Sequence, residues 1–260
     1  MIRPFLTYNL LLAAAALMLL QTGCGPGGGK STAIKLASGV KLRLVYLEPL
    51  KIYVGRYEVS NGEFRSFRPS HNSGYYENDG LNDDKQPVVN VSWNDAHAFC
   101  EWLTRNSGSR FSFRLPREKE WEAFAACGKE SEYPWGEWPP PKNPNYYGRE
   151  NKGPTRKLET ADGYRVACPV TRSGRNEWGL YGVAGNVWEW CEDGENAAHI
   201  IKGGSWSDCA QLFLRTACRR TYPADYKYVN LGFRVVAEPA TAKSAPPKQA
   251  PSANKDQSDE

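Results

Sequence analysis

Cysteine is the residue of widest chemical scope in this chain of 260 residues, which carries seven of them. Cys24 follows an apolar run near the start. The others are Cys100, Cys127, Cys168, Cys191, Cys209 and Cys218. Thiolates are soft ligands that select Cu(I) when two face each other, whereas an even number in an exported chain favours disulfides. None of them falls in a CxxC and the three His are scattered, so no zinc site is expected. Around Cys218 lies a basic and aromatic stretch: Arg215, Arg219, Arg220, Tyr222, Tyr226 and Tyr228. Such residues stack bases and hold phosphates in proteins that bind RNA, but core arginines and surface tyrosines are the plainer reading. A net charge of only +4 is too mild for a nucleic-acid partner.

The elements that position these groups centre on 176–190, NEWGLYGVAGNVWEW, and the KGGSW at 202–206. Glycines supply positive φ or close approach, and each indole between them needs a partner for its N–H, so this is an ordered, buried loop. Upstream, Arg3, the apolar run Leu10 to Leu20 and Thr22-Gly23-Cys24 read as an export signal, too short to span a bilayer. The small residues before Cys24 resemble a bacterial lipobox, with Gln21 departing from it. Cys24 is therefore the expected lipidation site, and Gly25 after it points to the outer membrane, facing the periplasm. Residues 25–40 read as a flexible tether. Val40 to Leu47 and Lys51 to Val59 read as strands.

Ser60 and Glu63 form a capping box for a short helix, and Ser92 caps a longer one with Trp93, Ala96, Phe99, Cys100 and Leu103 on its buried face. Pro116 opens a third helix whose inner face is Trp121, Phe124 and Ala125. From Tyr133 to Val170 there is no period at all. Residues 238–260 are too rich in Pro, Ala, Lys and Ser to form a core.

GLYGVAGNVWEW, GGSW and LGFRVV (231–236), preceded by PVVNVSWNDAHAFCEWL (87–103) and FRLPREKEWEAFAACG (113–128), resemble in order the formylglycine-generating enzyme (sulfatase-modifying factor) family. The resemblance runs over 41–237. It implies an α+β, C-type-lectin-like fold with two main helices, short strands and long irregular loops. It also implies calcium, an ion that accepts irregular oxygen ligands, at Asn145, Tyr146, Asp162 and Tyr164. A second family calcium site matches at Gly185, Val187 and Glu189, but its Asn position is Gly182.

The family's oxidases convert a cysteine of a sulfatase CxPxR segment to formylglycine, using O2 and a Cu(I) held by two cysteines after the GGS motif. Counted from Gly203, those positions are Asp208 and Phe213, and the structural cysteine is Cys218. Cys209, one residue along, is the remaining candidate for a catalytic thiol. By the family's pattern Cys218 pairs with Cys127, while the partner position of Cys100 is Val235. Cys191 and Cys209 flank one loop and suggest a second pair. Trp188, Ser205 and Trp206 fit the groove wall.

The leading expectation is an exported, monomeric lipoprotein that has lost copper chemistry and binds a protein or glycan through its groove. The alternatives are a copper-dependent oxidase working through Cys209 and a purely structural envelope lipoprotein.

Overall fold

The computed structural model describes residues 30–240, apart from 37, 109, 143, 152–156 and 160. The signal, the lipidation site Cys24 and most of the tail lie outside the described residues. In chain order the strands and helices are β1 (Ser31–Lys35), β2 (Lys41–Leu47), β3 (Ile52–Gly55), α1 (Asn61–Arg65), β4 (Tyr75–Tyr76), β5 (Asp79–Gly80) and α2 (Trp93–Asn106). They continue with β6 (Phe111–Arg114), α3 (Glu118–Ala125), β7 (Trp188–Glu195), β8 (Ala198–Lys202), β9 (Arg220–Pro223), β10 (Leu231–Gly232) and β11 (Val236–Pro239). Among the described residues no helix is long and apolar enough to cross a membrane.

Alternation at the start of β2 buries Leu42 and Leu44 and exposes Lys41 and Arg43, and further along Val45 and Leu47 are buried from the other face. That strand lies second in a sheet ordered β1-β2-β3-β11-β6, while the site rests on a smaller sheet ordered β10-β7-β8-β9. Strand β10 lies beside β7, and three residues later the chain enters β11 of the larger sheet, so β10 and β11 tie the two sheets together. Both capping boxes form as the sequence implies, with Ser60 paired to Glu63 and Ser92 to Asp95. Inward faces of α2 (Phe99, Cys100, Leu103) and α3 (Trp121, Phe124, Ala125) are buried between the sheets. From the end of α3 to Trp188 the described chain has no helix or paired strand beyond isolated bridges.

Three expectations shift. Residues 31–35 fall in the span read as a tether, yet they form an edge strand that pairs with β2 from Ser31 opposite Val45 to Lys35 opposite Lys41. Ile34 and Leu36 supply the reason, because both are buried in the main core cluster. Strand β11 carries order to Pro239, past the expected boundary at 237. Pro116 stands ahead of α3 rather than in its first turn, and Glu120 takes the N–H of Arg117 instead.

Candidate functional site

Four of the indoles demanded partners, and the fold supplies them. Trp188 Nε1 donates to Asp208 (2.9 Å), Trp190 to the Val91 carbonyl (3.1 Å), Trp93 to the Cys191 carbonyl (2.9 Å) and Trp121 to Glu189 (2.9 Å). These bonds stitch the Trp-rich loop to both long helices and to the turn after GGSW.

That turn is the floor of a groove. Asp208 Oδ2 also accepts from Ser205 Oγ at 2.6 Å, and Asn230 Nδ2 donates to Ser205 Oγ (2.9 Å) and Ser207 Oγ (2.8 Å). Burial pushes the Asp208 carboxyl above its ordinary range, partly offset by the bonds from Ser205 and Trp188. Over this floor the Arg220 guanidinium lies 4.2 Å from the Phe213 ring centre and 5.5 Å from that of Trp188. Tyr222 and Tyr226 stack at 4.3 Å, and Tyr226 and Tyr228 at 6.1 Å. Trp188, Arg220, the three tyrosines and Asn230 line a cavity of about 250 Å3.

Of the groove residues expected from sequence, Trp188 reaches the cavity. Ser205 is fully buried and braces it from beneath. Trp206 turns away, 2% exposed, into a separate cluster with Val89 and Val187, where Tyr76 covers it at 5.0 Å. The backbone reverses at Ser205, so neighbours on that turn face opposite sides. Asn230 and Arg220 were not singled out as a pair, although Asn230 immediately precedes LGFRVV.

The residues present do not fit the two-thiol copper site. Asp208 is occupied by Trp188 and Ser205, and Phe213 presents an aromatic ring to Arg220. Cys209 packs with Tyr133, Trp135 and Trp138 and lines a different, larger cavity of about 1120 Å3 beside Pro139 and Leu158.

The expected disulfide partners lie in different surroundings in the structure. Cys191 is a buried thiol in the cluster of Trp121 and Ile200, whereas Cys209 belongs to the Tyr133 cluster, so two packed cores hold these residues in separate surroundings. Cys127 and Cys218 are likewise thiols. Cys127 sits at φ +53 after α3 and its sulfur accepts from the backbone N–H groups of Trp178 and Glu177, while Cys218 packs at the edge of the main core. Burial pushes the Cys100, Cys168 and Cys191 thiols up, which makes them poor nucleophiles.

The first calcium set fits a hard cation. Asn145 is fully buried and its Oδ1 has no partner among the described residues, although its Nδ2 donates to the Val166 carbonyl at 2.8 Å. Asp162 accepts from the N–H groups of Tyr146 (3.2 Å) and Tyr164 (2.8 Å). Its carboxyl is pushed up to about 7, first by burial and then by the charge of the neighbouring Glu150, whose own carboxylate is buried. The buried amide and carboxylate oxygens of these residues are hard donors of the kind calcium takes. Glu150 was missed in sequence, because an acidic residue in GRENKG reads as surface.

The second set does not fit. Glu189 is fully buried, and its oxygens are taken by Arg234 at 2.6 and 2.5 Å and by Trp121. Gly182, at φ +66, leaves no side-chain oxygen, and a side chain there would run into the Glu58 carboxylate. Gly185 and Val187 have no ion to close on, because the Arg234 guanidinium already balances this charge.

The family model described as a sulfatase-modifying factor enzyme 1-like domain matches residues 45–239. The chain belongs to the sulfatase-modifying factor family. An inactive C-alpha-formylglycine-generating enzyme 2 of Bos taurus is 39% identical over 160 residues, covering 57% of this chain and 49% of that protein. A formylglycine-generating enzyme of Thermomonospora curvata is 35% identical over 183 residues, covering 59% and 56%. The sulfatase-modifying factor domain thus spans about half the length of these curated relatives, one of them active by name and one inactive. Treponema denticola variable protein 1 superposes with a TM-score of 0.62 at 19% identity, over 80% of this chain and 99% of that one, and shares the fold.

Proposed function

We propose that this sulfatase-modifying factor domain is a binding module without copper oxidase activity, and that its groove takes a protein or glycan partner. The observation that carries the reading is the pair at the thiol positions. Asp208 is sealed by hydrogen bonds from Trp188 and Ser205, and Phe213 lies under Arg220, so neither offers a soft ligand. Resemblance to a relative named as inactive is consistent with that. Calcium at Asn145, Asp162 and Glu150 would hold the irregular chain behind the groove, since Asn145 also ties to Asn186 in the Trp-rich loop at 3.1 Å. An exported, lipid-anchored setting rests on residues 1–24 alone. Titrating the purified chain with Cu(I) against a competing chromophoric chelator tests the reading. Binding no tighter than that of a Cys209→Ser, Cys218→Ser variant supports it; stoichiometric binding that both cysteines are needed for contradicts it.

A further inference from the structure

Resting on the groove as a binding surface, we propose that its occupant is an acidic side chain of an extended polypeptide, its carboxylate against Arg220 and apolar neighbours on either side. Residues 215–227, which bring Arg220, Tyr222 and Tyr226 to the groove, carry four cations, and three of them are already paired. Arg215 reaches Glu132 at 2.8 Å, Arg219 reaches Glu118 at 3.5 Å and Lys227 reaches Asp95 at 2.6 Å. Arg220 has no ion pair among the described residues. Its guanidinium lies over the Phe213 ring, which restrains the planar fork that a carboxylate engages with two N–H bonds. Asp208 below it attracts Arg220 through space but forms no ion pair with it among the described residues, its carboxylate being bonded to Trp188 and Ser205.

The remaining surface favours polypeptide over glycan. Sugar hydroxyls need free polar groups, but Asn230, Ser205 and Ser207 are bonded to one another. Sugar rings need open aromatic faces, and Tyr222 and Tyr226 spend theirs on each other. The rim is apolar instead. Leu212 is 58% exposed beside Phe213, and Tyr228 is 49% exposed at the cavity. Asn90 links Tyr228 to the Tyr75–Tyr76 ribbon, donating from its N–H to the Tyr228 carbonyl (3.0 Å) and from Nδ2 to the Ser73 carbonyl (2.7 Å). Tyr75 on that ribbon is 74% exposed. Exposed apolar groups gathered round one unpaired cation mark a protein contact, and a cavity of about 250 Å3 admits one side chain.

The test is a positional-scanning hexapeptide library, immobilised and probed with the full chain, with a neutral-oligosaccharide array alongside. Expected is enrichment of Asp or Glu at one position with apolar residues next to it. For a peptide carrying that motif, changing the acid to its amide, or Arg220→Gln in the protein, should weaken binding at least tenfold. Arg220→Lys should restore part of it, and Leu212→Ser should weaken acid and amide peptides equally. Peptide binding without acidic preference would overturn the acidic inference and leave a binding groove. Binding of oligosaccharides alone would overturn the polypeptide inference and likewise leave the groove. Failure of every probe, on protein whose circular dichroism shows it folded, would overturn both.

Discussion

Glu58 is the buried group whose replacement has the most determinate outcome. It is fully buried, accepts from Asn186 at 2.8 Å through Oε1, and has no partner for Oε2. Burial, reinforced by Glu189 and opposed by Arg234, raises its carboxyl from 4.5 to about 7. The folded protein therefore keeps a proton that the unfolded chain releases. The resulting stability is fully present below pH 4.5 and is lost as pH rises through 7. At about 1.36 kcal/mol per pH unit across that window, ionising Glu58 costs the fold roughly 3 kcal/mol by pH 8. Glu58→Gln keeps the shape and the bond from Asn186 but cannot ionise. Urea unfolding of both proteins at pH 5, 6, 7 and 8 should show the variant gaining on the parent by about 2.5 kcal/mol across the series, part of the loss lying below pH 5. Glu63, also raised to about 7 by burial, gives both proteins a common slope and drops out of the difference. Parallel pH curves would refute the reasoning, because they would mean that Glu58 is ionised in the folded state already at pH 5.

Chelating calcium from the folded chain should lower its melting temperature by roughly 5–10 °C when the ion had been present at about 100 times its Kd. Asp162→Ala should abolish that response in the same melting assay. Gly182→Ala should destabilise by roughly 2–4 kcal/mol in urea, since it strains a residue at φ +66 and drives a methyl into Glu58. Phe213→Ala should cost roughly 2 kcal/mol, from a half-buried ring and its stack with Arg220, and should shift the emission of Trp188.

The elements that carried local signals were legible in sequence. Capping at Ser60 and Ser92 forms as the Ser-x-x-acid spacing demands, because both partners lie within one turn. The buried faces of α2 and α3 followed from period, and the indoles of Trp188 and Trp190 announced a buried stretch by needing partners, although both open strand β7 rather than lie in a loop. What stayed hidden was long-range. Arg234 and Glu189 are 45 residues apart and meet only because β10 runs parallel beside β7. Glu58 and Gly182 come together from opposite ends of the domain, so nothing local told that a missing side chain at 182 makes room for a carboxylate. Trp206 and Ser205 differ in facing for a reason set by one turn, which motif matching does not resolve. Spacing along the chain also says nothing of which packed cluster each cysteine joins, as Cys191 and Cys209 show.

The most direct test of the account is turnover of a CxPxR peptide by the calcium-loaded chain with Cu(I) and O2, read by mass spectrometry for the aldehyde. An Asp208→Cys, Phe213→Cys variant should be run beside it. The account predicts no aldehyde from the natural chain. Aldehyde that vanishes in Cys209→Ser would show a rearranged thiol site and contradict it.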